Sequence, residues 1–137
     1  MTVYVDASVV VALLVQDNLS ARAETAMTAL SDPILVSDVT ALEFASAVAR
    51  RARGGVLSAK MAREAFSDFD LWAKRVGRVQ VGPGDIAAAD TIVRRLDINL
   101  HGADAIHTAI VQRVGAALLT LDDKMRANAK KLGVAVI

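Results

Sequence analysis

Four acidic residues, Asp6, Glu43, Asp104 and Asp122, each fall where an apolar, strand-like run hands over to a helical pattern. In an open α/β sheet, ligands bind in the crevice beyond the carboxyl ends of the strands. Carboxylates far apart in the chain but all at such junctions can therefore converge on one site. Four carboxylates held close together repel one another unless cations intervene. The chain has no Cys, which excludes disulfides, thiolate metal sites and thiol nucleophiles.

The elements that must position these acids alternate strand with helix. Val3 to Val5 is a short β-branched and aromatic run, and the mostly apolar segment Ala7 to Val15 reads as a buried helix closed by Asp17 and Asn18. Ser20 caps a second helix to about Leu30, Asp32-Pro33 breaks it, and Ile34 to Val36 is a second strand. A long helix is expected from near Thr40 to Arg53, ended by Gly54-Gly55. Ser58 opens another, with Met61, Ala65, Phe69 and Trp72 on one face. Val79 and Val81 predict a third strand. Helices follow over Asp85 to Leu96 and Ala103 to Val114, with a loop around Asn99 to Gly102 between them. A fourth strand over Ala116 to Leu121, a helix over Asp123 to Leu132 and a possible fifth strand over Val134 to Ile137 complete the chain. The expectation is one α/β domain over residues 1–137, with a mainly parallel central sheet of four to five strands and helices on both faces.

Bulk properties agree with one compact domain. A chain of 137 residues buries about two thirds of its unfolded surface, and a core drawn from 54% hydrophobic but only 4% aromatic residues must be aliphatic. The N-terminal residues lack a basic leader pattern and no apolar run approaches the length of a membrane span, so a soluble, cytoplasmic protein is expected. A net charge of +1 provides no global field toward nucleic acid, leaving only local clusters such as Arg50, Arg51 and Arg53. Cations in a last helical turn also simply complement the helix dipole.

Each acid has an ordinary explanation as well. Thr40-Ala41-Leu42-Glu43 fits a capping box in which Glu43 reaches back to the cap residue. Asp104 lies in the first turn of its helix, Asp122 or Asp123 can cap the helix that follows, and Asp6 can cap the first, with Ser8 an alternative. His107 lies three residues after Asp104 and shares its helix face. A general-base role there competes with simple packing or hydrogen bonding near the site, and His101 falls in a loop.

The sequence resembles the PIN-domain ribonucleases, and within them the VapC-type toxins of bacterial toxin–antitoxin pairs. The resemblance rests on Val3-Tyr4-Val5-Asp6-Ala7-Ser8, Thr40-Ala41-Leu42-Glu43, Ala103-Asp104-Ala105-Ile106-His107-Thr108-Ala109 and Leu119-Thr120-Leu121-Asp122, in that order over essentially the whole chain. It implies a metal-dependent endoribonuclease that hydrolyses RNA phosphodiester bonds. Such chemistry suits two Mg²⁺ or Mn²⁺ ions about 4 Å apart, which neutralise the phosphoryl oxygens and activate a water. The acidic set would be Asp6, Glu43, Asp104 and Asp122, with Asp6 and Asp104 as direct ligands and the other two acting directly or through metal-bound water. Ser8 and Thr120 would support the carboxylates. Asp123 competes with Asp122, and the family spacing of Thr120 to the acid favours Asp122.

The resemblance also implies partners: an RNA substrate, a small cognate antitoxin protein across the groove, and a homodimer, with no membrane. The alternatives within the fold are an RNA-processing nuclease without an antitoxin and a non-catalytic interaction module. Two rivals fail on residues: a haloacid-dehalogenase-type phosphotransferase needs a second Asp where Ser8 stands, and a receiver domain needs an acidic pair where Asp6 is alone.

Overall fold

The computed structural model describes residues 1–137. Four short strands, β1 (Val3–Val5), β2 (Ile34–Ser37), β3 (Gly77–Val79) and β4 (Ala117–Leu119), pair in parallel in the order β3-β2-β1-β4. Seven helices connect and cover them: α1 (Ala7–Leu14), α2 (Ser20–Thr28), α3 (Asp38–Arg53), α4 (Ala59–Ala73), α5 (Pro83–Val93), α6 (Gly102–Val114) and α7 (Asp123–Lys131). No helix is long and apolar enough to cross a membrane.

Alternation along the strands splits the interior into two cores, because successive side chains on a strand point to opposite faces. Val3, Val5, Val36 and Leu119 pack with α1, Phe44 and Val48 of α3, and Ala65 and Phe69 of α4. On the other face Tyr4 and Leu118 pack with Ala89 and Ile92 of α5, Ala105, Ala109 and Ile110 of α6, and Met125 and Ala129 of α7. Strands buried on both sides read as continuous apolar runs, as Val3-Tyr4-Val5 and Ala117-Leu118-Leu119 do. The one polar side-chain atom inside β1 is the Tyr4 hydroxyl.

The mainly parallel expectation holds, with four strands. The expected fifth strand reduces to a single bridge, Val136 to Leu118, just beyond the left-handed turn at Gly133. The third strand lies two residues earlier than Val79 and Val81 suggest, because pairing with Leu35 to Ser37 selects Gly77–Val79. Helix α3 starts at Asp38 rather than near Thr40. Its N-cap is Ser37, whose hydroxyl accepts from the Val39 and Thr40 amides, and the capping box closes through the Thr40 side chain. The capping box built on Thr40 and Glu43 is therefore absent, which frees Glu43 for other contacts. The apolar stripe of α4 is mainly core: Ala65 and Phe69 are buried, Phe69 stacks on Phe44 at 4.7 Å, and Met61 alone is largely exposed.

Two local devices fix α6, which carries Asp104 and His107. At its end Gly115 adopts φ 67°, a left-handed conformation that turns the chain directly into β4. Near that end Arg113 reaches α5: its Nε and Nη2 donate to the two oxygens of buried Asp85 at 2.7 and 2.9 Å, and its Nη2 also to the Gln80 carbonyl at 3.1 Å. The guanidinium holds the Asp85 carboxyl below the usual carboxylate range, and the same carboxylate caps α5 by accepting from the Gly82 amide at 2.8 Å. Arg113→Ala strands that buried acid. Its Tm is expected to fall clearly below that of Arg94→Ala, which breaks only an exposed pair one turn apart on α5. Equal melting temperatures for the two variants would assign Arg113 a surface role only.

Candidate functional site

The strand order reverses direction at β1: the chain passes from β1 to β2 on one side and returns to β4 on the other. Such a switch point opens a crevice at the carboxyl ends of the strands. Asp6 leaves β1 directly into this crevice, and its amide donates to the Leu119 carbonyl of β4 at 3.3 Å. The side chain is 6% exposed and caps α1, its Oδ1 accepting from the Ser8 amide at 3.1 Å and the Ser8 hydroxyl at 2.5 Å. Burial pushes the Asp6 carboxyl above its ordinary value, and the Ser8 and Thr120 hydroxyls pull it partly back.

The Ser8 hydroxyl stitches the two strand ends together. It accepts from the Leu121 amide at 3.0 Å and lies 3.4 Å from the Thr120 hydroxyl, which in turn accepts from the Asp122 amide at 3.1 Å. Thr120 is fully buried, and Arg126 donates to its carbonyl at 2.9 Å. Asp122 is exposed and caps α7 by accepting from the Met125 amide at 3.0 Å. Asp123 faces elsewhere, 3.9 Å from Arg22 on α2.

Asp104 sits half-buried in the first turn of α6 and accepts a long hydrogen bond, 3.4 Å, from the His101 amide. Burial raises its pKa first, and the negative charges of Asp122 and Glu43 raise it further. That mutual repulsion places the three acids in one electrostatic neighbourhood. Glu43 lies on the second turn of α3, where its Oε1 is bonded to His107 Nε2. His107 is 2% exposed, and its Nδ1 is bonded to the Tyr4 hydroxyl at 2.5 Å. His101, exposed, precedes α6 as its cap residue.

Of the fifteen acidic side chains, eight pair with a cation, and the exposed Glu24, Asp68 and Asp70 stand unpaired on outer helix faces. Asp17, Asp32, Asp38, Glu64, Asp85, Asp90, Asp97 and Asp123 each pair with an Arg, a Lys or the N-terminal amine. Asp6, Asp104 and Asp122 pair with no cation, and Glu43 meets only His107. No three of these side chains form a ready-made metal-ligand cluster. Hard oxygen donors, one of them buried, with no Arg or Lys to neutralise them, fit a divalent cation. Beside Ser8 and Glu43 a cleft of about 320 Å³ opens between α1 and α3 and extends to Arg50 and Arg51. Arg51 is bound to Asp17, whereas Arg50 is exposed and unpaired.

Hydrogen bonds thus link Asp6, Ser8, Thr120 and the Asp122 amide across the ends of β1 and β4, while charge repulsion couples Asp104 to Asp122 and Glu43. Sequence reasoning missed Tyr4, Ser37 and Thr40, the buried hydroxyls behind His107. The signal available was a phenol in a three-residue strand that has no solvent-facing side.

Fold and site together define a parallel α/β domain with an acidic cluster at its topological switch point. The family model for the PIN domain matches residues 3–131, and the chain belongs to that family. Among solved structures it is similar to VapC20 of Mycobacterium tuberculosis, described as a sarcin-ricin loop cleaving toxin, at 19% identity and TM-score 0.74 over 91% of this chain and 93% of that one. A toxin–antitoxin complex from Klebsiella pneumoniae matches at 15% identity and TM-score 0.71, over 98% and 95% of the two chains. FitAcB from Neisseria gonorrhoeae matches at 17% and 0.71, over 98% and 96%. At these identities the likeness is one of fold. No curated protein matches the sequence.

Proposed function

We propose that this protein is a divalent-metal-dependent endoribonuclease, the toxin of a toxin–antitoxin pair. The observation that carries the reading is the set of carboxylates left without a basic partner at the switch point, in a molecule whose other acids are mostly paired. The toxin assignment draws its support from the sequence motifs and from neighbours described as a loop-cleaving toxin and as toxin–antitoxin complexes.

Asp6 and Asp104 would hold the cation, with Glu43 and Asp122 completing the set directly or through water. The bound ion would supply charge neutralisation at the scissile phosphate and an activated water. Ser8 fixes the Asp6 carboxylate in one orientation, while the backbone cap made by Asp122 fixes the other side of the pocket. Arg50, in the cleft that opens beside Glu43, is a free cation suited to the RNA backbone. A small antitoxin would cover the acids by presenting a basic side chain to them, and a homodimer is the expected assembly.

The test is cleavage of a panel of structured RNAs with Mg²⁺ or Mn²⁺ and with excess chelator. Cleavage is expected with metal and should vanish with chelator; cleavage that persists in chelator overturns the reading. The toxin role is read from bacterial growth, where expression of the wild type should arrest cells and Asp6→Ala should not. Equal growth at matched protein levels would leave a nuclease without toxin function.

A further inference from the structure

We infer that Tyr4 and His107 are positioning residues for Glu43: a one-way chain of hydrogen bonds from Ser37 through Tyr4 and His107 fixes the histidine tautomer and holds the Glu43 carboxylate in the acidic pocket. The inference rests on the nuclease reading for its functional meaning, and on hydrogen-bond geometry for its direction.

The direction follows from what each hydroxyl is already committed to. Ser37 Oγ accepts from the amides of Val39 and Thr40, each at 3.2 Å, which occupies both of its lone pairs. Its own hydrogen must therefore be donated, and the nearest acceptor is Tyr4 Oη at 2.6 Å, well inside the 3.4 Å to Thr40 Oγ1. Thr40 Oγ1 accepts from the Ser37 amide at 3.2 Å and donates to the Val5 carbonyl at 3.3 Å. Tyr4 then donates its hydrogen to His107 Nδ1 at 2.5 Å in preference to Thr40 Oγ1 at 3.3 Å.

Burial pushes the Tyr4 phenol up to about 12, so that hydrogen stays in place throughout the physiological range. With Nδ1 accepting, the ring hydrogen resides on Nε2, the atom bonded to Glu43 Oε1. Three buried groups from β1, the end of β2 and α6 thereby aim one N–H at one carboxylate oxygen. His107 Nε2 is then a committed donor. It is not free to accept a proton from water, which removes the general-base role for this residue.

The measurement is NMR of the chelated protein carrying ¹⁵N-histidine, with the His107 signal assigned by its loss in His107→Gln. A single neutral tautomer with the hydrogen on Nε2 is expected, and Tyr4→Phe should release it into a tautomer mixture. A hydrogen on Nδ1 in the wild type, or a tautomer indifferent to Tyr4→Phe, overturns the proposal.

Kinetics separate positioning from base catalysis. Removing a hydrogen bond to a charged group corresponds to about tenfold to a hundredfold in rate, so His107→Leu should lose about that much in kcat with KM for RNA nearly unchanged. His107→Gln, whose amide can still donate to Glu43, should recover much of it. Equal losses in Gln and Leu overturn the positioning role. A wild type that cleaves no RNA removes the nuclease reading instead, and the tautomer measurement then decides the hydrogen-bond chain by itself.

Discussion

Asp104→Asn should reduce RNA cleavage by about two to three orders of magnitude, the cost typical of losing one preorganised electrostatic group at a reacting centre. The metal-free variant should nevertheless be as stable as wild type, or more stable by up to about 1 kcal/mol once partial exposure to water is discounted. Function and stability part company because Asp104 is held against its own preference. Burial, then the charges of Asp122 and Glu43, raise its pKa, and a neutral amide of nearly the same shape removes that repulsion while keeping an acceptor for the His101 amide. Were Asp104 merely a first-turn carboxylate opposing the helix dipole, the same change would destabilise by about 0.3–1 kcal/mol and spare activity. Thermal melts in chelator beside a cleavage assay distinguish the two outcomes. An active, less stable Asp104→Asn protein would remove Asp104 from the site.

The second large effect is linked to metal and pH. Mn²⁺ at about 100 times its dissociation constant stabilises a folded protein by about 2.7 kcal/mol. The wild type should show a shift of that order and Asp104→Asn a smaller one. In chelator the sign of the pH dependence follows from two raised carboxylates. Asp6 and Asp104 bind protons more tightly folded than unfolded, so between the ordinary value of 3.8 and their raised folded values the native state carries the extra protons. Stability from these groups is therefore fully present below 3.8 and declines as pH rises through their folded pKa values. Asp85 acts with the opposite sign in a separate window: its folded pKa is depressed by Arg113, so its contribution is lost only as pH falls below 3.8. Metal reverses the upper slope, since cation binding requires the ionised acids. Melts from about pH 4 to 8 should fall in chelator and rise in Mn²⁺; a chelated protein whose Tm climbs over that range would contradict the buried, unpaired state of Asp6.

Much of the site was legible because its acids follow strands, and strands buried on both faces announce themselves as apolar runs. Asp6 and Asp122 both stand at the ends of such runs. What failed was register and reach. Helix α3 begins without a linker after β2, so Ser37 serves as last strand residue and N-cap at once, and the sequence offered Thr40 as an equally good start. The edge strand β3 lies earlier than the alternation of Val79 and Val81 suggests, because pairing with β2 decides the register. The chain from Tyr4 to His107 to Glu43 joins residues 103 and 64 positions apart, and no local pattern encodes such contacts. Sequence proximity instead suggested that His107 belonged with Asp104.

The central place of β1 has a consequence for when the site can exist. The first strand of this domain to be made lies between β2 and β4, and one of those neighbours is not synthesised until residues 117–119. Until then the nascent chain offers β1 an open edge, and neither the Ser8 contact to the Leu121 amide nor Asp122 is available. Translation that stalls before β4 therefore yields fragments with the Asp6 and Glu43 motifs but without Asp104 or Asp122 in place, and the acidic residues come together only after most of this domain has been made.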